Sequence, residues 1–159
     1  MSNIVYVKVL ADSLQKKFTA LESILNITKT QEELLQEENF DEECFLETIK
    51  SKQIYIDQIT ELDNGFEVVY NRVKQELDAD RMLYVDDIAN MQKLISKITD
   101  LGIDIEALEK RNKVQMDKVL ADKKQQFRGM RMNNSAASNY YRNMVNQQYS
   151  QSYFLDKKK

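Results

Sequence analysis

Apolar residues recur at alternating spacings of three and four along residues 42–78, the most regular hydrophobic ladder in the chain. A spacing that averages 3.5 residues keeps one stripe of an α-helix facing one partner, as in a coiled coil. A helix of this length measures about 54 Å and needs an equally long neighbour. The rungs are Phe45, Ile49, Ile56, Ile59, Phe66, Tyr70, Val73 and Leu77. We therefore predict a long helix around which the rest of the chain is organised.

Two further segments have helical periodicity and comparable length. The first is predicted from about Ile4 to Gln36, with a stripe made of Val7, Leu10, Ala11, Leu14, Phe18, Leu21, Leu25, Thr28 and Leu35. The last follows a turn at residues 78–80, and its apolar positions are Met82, Tyr84, Ile88, Met91, Leu94, Ile95, Ile98, Leu101, Ile105, Leu108, Asn112, Met116 and Val119. Its wide apolar face suits contact with both other helices.

The first reversal of the chain is predicted at residues 37–41. Either Asn39 or Asp41 can cap the helix that follows, and Glu42 stands three residues after Asn39, as in a capping box. Acidic residues crowd this corner between positions 32 and 47, but they lack the ligand spacing of a calcium loop. We interpret them as a solvated face that complements the positive end of a helix dipole.

Polar residues interrupt the central ladder at Lys52 and Asp63. The simpler interpretation places both near the edge of the buried stripe, with the Lys52 stem extending to water and Leu62 filling in beside Asp63. The alternative is that they fix the register of the helices at some cost in stability. Gly65, inside the same helix, predicts a close helix approach or a slight bend.

Composition supports an all-α fold, because the chain has no proline, three glycines and 31% charged residues. We predict an elongated antiparallel helical bundle or coiled coil of three long helices plus a short C-terminal amphipathic helix. The bundle is expected over residues 1–128 and a flexible, basic, Tyr/Asn/Gln-rich tail over residues 129–159, with the short helix around 136–150. Its face would carry Ala137, Tyr140, Tyr141, Met144, Val145 and Tyr149.

Charge is distributed unevenly along the chain. Residues 128–159 contain six basic residues and one acidic residue, a net charge of +5, whereas the remainder has 17 basic and 25 acidic residues, a net charge of −8. An acidic body repels a nucleic acid duplex, so we expect no nucleic acid binding. No run of apolar residues is long enough for membrane insertion, and the N-terminus lacks a secretory pattern, so a cytoplasmic protein is expected.

The residues that usually carry catalysis are scarce. Histidine is absent and Cys44 is the only cysteine, so a His- or Cys-based metal site and an internal disulfide are not expected. The glycines are isolated and form no phosphate-binding motif. We predict that the protein is not an enzyme and uses no metal or other cofactor.

The amphipathic tail is the candidate binding element. Tyrosine buries area at low entropy cost and methionine adapts to varied surfaces, which suits a segment that orders when it binds a protein. The alternative is that this helix packs on its own bundle or on a second copy, so self-association as a homo-oligomer stays open. The candidate partner-binding residues on this face are Tyr140, Tyr141, Met144, Val145 and Tyr149.

The chain resembles the FlgN-type flagellar export chaperones of Gram-positive bacteria over essentially its whole length. The resemblance rests on Lys52, residues 59–66, Ile105 and residues 109–112, together with Tyr140, Tyr141 and the ending at residues 153–159. It implies a cytoplasmic, non-enzymatic chaperone that binds flagellar hook-filament junction proteins and delivers them to the flagellar type III export gate. In that family the client and gate contacts belong largely to the C-terminal region. Here this implies the tyrosine-bearing face of the tail as the partner-binding site, with Tyr153 and Phe154 behind it.

Two other functions stay open. A coiled-coil scaffold or adaptor would use the tail to complete a homodimer, and a FliT-type chaperone of the filament cap protein would have a similar architecture and a different client.

Overall fold

The computed structural model describes residues 2–122, and every described element is helical. Helix α1 spans Ser2–Gln36, α2 spans Glu42–Ala79 and α3 spans Val85–Asp122. These are the three long helices that the sequence predicts, and their ends differ from the expected ones by a few residues. The short helix predicted around residues 136–150 and the whole of the tail lie outside the described residues.

Helix α2 begins where the sequence offers its best cap. Asp41 has extended backbone angles, and its carboxylate accepts a hydrogen bond from the Cys44 N–H at 3.0 Å. The hydrogen bond lowers the pKa of the Asp41 carboxyl. Glu42 and Glu43 occupy the first turn, where they face the positive end of the helix dipole. Of the two predicted caps, Asp41 is therefore the one used.

The second reversal occupies residues 80–84 and closes with local backbone hydrogen bonds. The Asp80 N–H donates to the Glu76 carbonyl at 2.9 Å, and the Leu83 N–H donates to the Asp80 carbonyl at 3.0 Å. Tyr84 is buried and leads directly into α3. The two reversals give an up-down-up order, so α1 and α3 run parallel to each other and antiparallel to α2.

Helix α1, not α2, is the element against which the other two pack. Its backbone approaches both α2 and α3, whereas no Cα of α2 lies within 8 Å of a Cα of α3. Helices α2 and α3 meet through their side chains. The prediction that the chain is organised around residues 42–78 was wrong, whereas α3 contacts both other helices, as its wide apolar face predicts.

Each helix buries a heptad stripe, and the buried side chains form two separate hydrophobic clusters. The main cluster involves residues 7–24 of α1, 56–77 of α2 and the stretch from Tyr84 to position 105. A smaller cluster near the first reversal contains buried Leu35, Phe45 and Met116. Partly buried Leu34, Phe40, Ile49, Val119 and Leu120 pack around it.

Gly65 does not mark a close helix approach. It is exposed, and a Cβ placed on it would meet nothing within 4 Å. Of the two alternatives predicted for this glycine, the close helix approach was therefore wrong, and the slight bend stays a prediction. Gly65 is an exposed position inside a 38-residue helix.

Replacing Gly65 with alanine is expected to stabilise the bundle. Glycine costs a helix interior about 1 kcal/mol relative to alanine, and the added methyl group has free space. Urea unfolding followed by circular dichroism should give Gly65→Ala a free energy of unfolding higher by about that amount. A loss of stability would show that a neighbouring helix needs the glycine.

Candidate functional site

A layer of buried polar side chains crosses the bundle between the two hydrophobic clusters. It consists of Thr28 and Gln31 from α1, Lys52 from α2, and Glu109 and Asn112 from α3, and each is at most 3% exposed. We call these five residues the buried polar layer. All three helices contribute to it, so it joins elements that are far apart in the sequence.

The Lys52 ammonium group is the centre of the layer. Its Nζ donates hydrogen bonds to Oε1 of Gln31 and to Oε1 of Glu109, which links α2 to both other helices. The Gln31 amide nitrogen in turn donates to the Thr48 hydroxyl at 3.1 Å. Burial lowers the pKa of Lys52, although the nearby Glu109 carboxylate opposes that shift by favouring the charged ammonium.

Thr28 and Asn112 complete the contacts between α1 and α3. The Asn112 amide nitrogen donates to the Thr28 carbonyl at 3.1 Å. The Thr28 hydroxyl donates to the Ile24 carbonyl at 2.7 Å and lies 3.4 Å from Glu109 Oε1. The Asn112 Oδ1 atom is buried and has no hydrogen-bond donor among the described residues. The layer is thus well connected but not fully satisfied.

A second buried ion pair joins α1 to α2 within the main hydrophobic cluster. Lys17 Nζ lies 2.7 Å from Asp63 Oδ1, and the two side chains are 2% and 18% exposed. Burial lowers the pKa of Lys17, and the Asp63 carboxylate partly compensates. The partly exposed carboxylate keeps contact with water, so this pair is less enclosed than the one between Lys52 and Glu109.

The interpretation of Lys52 as an edge residue was wrong, whereas Asp63, whose side chain is 18% exposed, lies at the edge of the buried stripe as predicted. Lys52 is buried and does not extend its stem to water, and each residue has an ion-pair partner on another helix. Sequence reasoning also missed Lys17, Gln31 and Glu109 as buried groups. The sequence does indicate burial of Lys17 and Gln31, because both occupy positions of an uninterrupted heptad series on α1. The series is Leu10, Leu14, Lys17, Leu21, Ile24, Thr28, Gln31 and Leu35.

An exposed apolar surface lies at the opposite end of the bundle, around the second reversal. Met82 and Leu83 are 86% and 68% exposed, and Val85 follows at the start of α3. A shallow groove of about 380 Å³ lies beside them. It is lined by Arg81, Met82, Val85, Ile88, Ala89 and Gln92. The prediction that Met82 belongs to the buried stripe of α3 was wrong, because it belongs to the turn.

All of the predicted partner-binding residues lie outside the described residues. They are Tyr140, Tyr141, Met144, Val145, Tyr149, Tyr153 and Phe154. The structure of the described residues therefore does not test whether these side chains form one binding face. They stay predictions from the sequence.

Within residues 2–122, no three His, Cys, Asp or Glu side chains are placed to hold a metal ion together. None of the three described helices is long and apolar enough to cross a membrane. In comparisons with known proteins, no family model matches the chain, and no match is found among curated proteins or solved structures.

Two neighbouring lysines on α1 provide a test of the buried ion pairs. Lys17→Ala removes the partner of Asp63 from the core and should lower the free energy of unfolding by about 2 kcal/mol. Lys16 is also ion-paired, to Asp12 at 3.0 Å, but both groups are exposed. Lys16→Ala should therefore change stability by less than about 0.5 kcal/mol. Equal losses in urea unfolding would contradict the assigned burial.

Proposed function

We propose that this protein is a cytoplasmic, non-enzymatic export chaperone of the FlgN type. It binds flagellar hook-filament junction proteins before their secretion and delivers them to the flagellar type III export gate. The described helices form the body, and the tail at residues 129–159 carries the client-binding side chains.

The placement of the residues behind the resemblance is the observation that carries this proposal. Lys52, Asp63, Glu109 and Asn112 are scattered over 61 positions of the sequence, yet all four make buried or partly buried polar contacts between helices. Long heptad helices resemble one another easily through their apolar residues. Polar residues at core positions are more specific, because each needs a partner on another helix. This supports a resemblance in the architecture of the body.

The proposed binding element is the tyrosine- and methionine-bearing face of the tail. A segment that orders only on its client spends part of the contact energy on ordering, so the complex remains releasable. Release is required of an export chaperone, since the client must enter the secretion channel.

A coiled-coil adaptor is the second candidate, and one observation favours it. Met82, Leu83 and Val85 expose apolar surface at one end of the body, as a self-associating protein would. In such a protein the tail completes a homodimer instead of binding a client.

Affinity capture from a lysate of a flagellated host tests the chaperone proposal. The intact chain should recover a hook-filament junction protein, identified by mass spectrometry. The double variant Tyr141→Ala with Met144→Ala should recover at least about tenfold less, because truncating buried aromatic anchors typically removes much of the binding energy. The matched control is Met82→Ala with Leu83→Ala, which removes exposed apolar side chains from the body.

The outcomes separate the alternatives. Recovery of a filament cap protein instead would favour the FliT-type function, and recovery of no flagellar protein by any of the three chains would contradict the proposal. Loss of the client only in the Met82 and Leu83 variant would show that the body, not the tail, binds it. Deleting residues 129–159 should leave the oligomeric state of a chaperone unchanged and abolish client capture, whereas an adaptor of the dimerising kind should become monomeric.

A further inference from the structure

The hydrophobic core of the bundle is not continuous. The smaller cluster of Leu35, Phe45 and Met116 is separated from the main cluster by the buried polar layer. Apolar contacts that run without interruption make neighbouring segments unfold together, whereas a break in them allows one segment to open alone. The arrangement therefore divides the body into two units that share the same three helices.

The connection across this break is made largely by polar groups. Burying an ion pair costs desolvation that its mutual attraction only partly repays, and Lys52 and Glu109 are both nearly inaccessible to water. The buried Asn112 Oδ1 atom adds a cost, because it loses water without gaining a donor among the described residues. Opening at this layer rehydrates all of these groups.

Backbone packing offers little resistance to such an opening between α2 and α3. No Cα of α2 lies within 8 Å of a Cα of α3, so the two helices meet through side chains alone. At the layer the link between them is the hydrogen bond from Lys52 to Glu109. Beyond it, Phe45 and Met116 both belong to the small cluster, which contains three buried apolar residues.

We propose that residues 32–49 and 113–122 form a corner unit that opens as a whole while the remainder of the bundle stays closed. Opening exposes Leu35, Phe45 and Met116, which the closed bundle keeps at 5% exposure or less. The body thereby exposes an apolar surface only in the open state. This inference rests on the described helices and holds whichever client the protein binds.

Amide hydrogen exchange on the full chain tests the proposal. Amides at residues 32–35 and 45–49 should be protected about a hundredfold less than amides at residues 70–77 and 88–94. The second set also lies near a helix reversal but packs on the main cluster, so simple fraying of helix ends predicts equal protection. Equal protection at the two ends of the bundle would overturn the proposal.

A double variant tests whether the polar layer is the cause. Lys52→Met with Glu109→Leu removes the buried ion pair from the layer without a large change in volume, and such replacements of buried ion pairs are often neutral or stabilising. The difference in protection between the two ends should shrink to less than about tenfold. A difference that persists at full size would overturn the assignment of the break to this layer.

The matched control replaces the same residue types at the same end of the body. Lys50 and Glu47 form an exposed ion pair at 3.5 Å, with side chains 73% and 67% exposed. Lys50→Met with Glu47→Leu should leave the difference in protection unchanged, and its loss there would also overturn the assignment. If Lys52→Met with Glu109→Leu does not fold, Asn112→Leu serves in its place, with a smaller shift in the same direction supporting the proposal and no shift opposing it.

Discussion

The three helices depend on one buried contact, the Lys52 ammonium group held between Gln31 and Glu109. Heptad stripes are repetitive, so apolar packing alone permits one helix to slide past another by a repeat with little loss of contact. A buried charge does not permit this, because a displaced Lys52 or Glu109 would lie unpaired in the core. Lys17 and Asp63 impose the same condition farther along α1 and α2. We interpret the two ion pairs as the features that select one alignment of the helices, and their desolvation lowers the stability of the bundle.

The sequence predicts the helices well and their buried polar contacts poorly. Heptad spacing, the absence of proline and the Asp41 cap are enough to indicate three long helices and their reversals. The side chain of Lys52 was misplaced because a lone polar residue in one ladder resembles an edge residue. Only the alignment of three ladders shows that Lys52 faces Glu109 and that Lys17 faces Asp63. Gly65 was misjudged for a similar reason, since its free space depends on where the neighbouring helices lie.

The body and the tail have different roles in the proposed function. The body is acidic, and its buried ion pairs select the alignment of its helices. It also exposes apolar side chains at the reversal near Met82. The tail is basic and rich in tyrosine, which suits contact with another protein. The residues behind the resemblance belong to both parts, and three of those in the body, Lys52, Asp63 and Glu109, take part in the two buried ion pairs. The proposed opening of the corner unit depends on the same polar layer. A single set of residues therefore selects the alignment of the closed bundle and limits the cooperativity of its unfolding.

A double-mutant cycle at Lys52 and Glu109 tests the central claim most directly. The four proteins are the natural chain, Lys52→Met, Glu109→Leu and the double variant, and the quantity measured is the free energy of unfolding in urea. We expect each single variant to lose about 3 kcal/mol or more, because it leaves an unpaired buried charge, and the double variant to lose far less than the sum. Losses that add to within about 0.5 kcal/mol would show that the two groups do not depend on each other, and would contradict the role assigned to this contact.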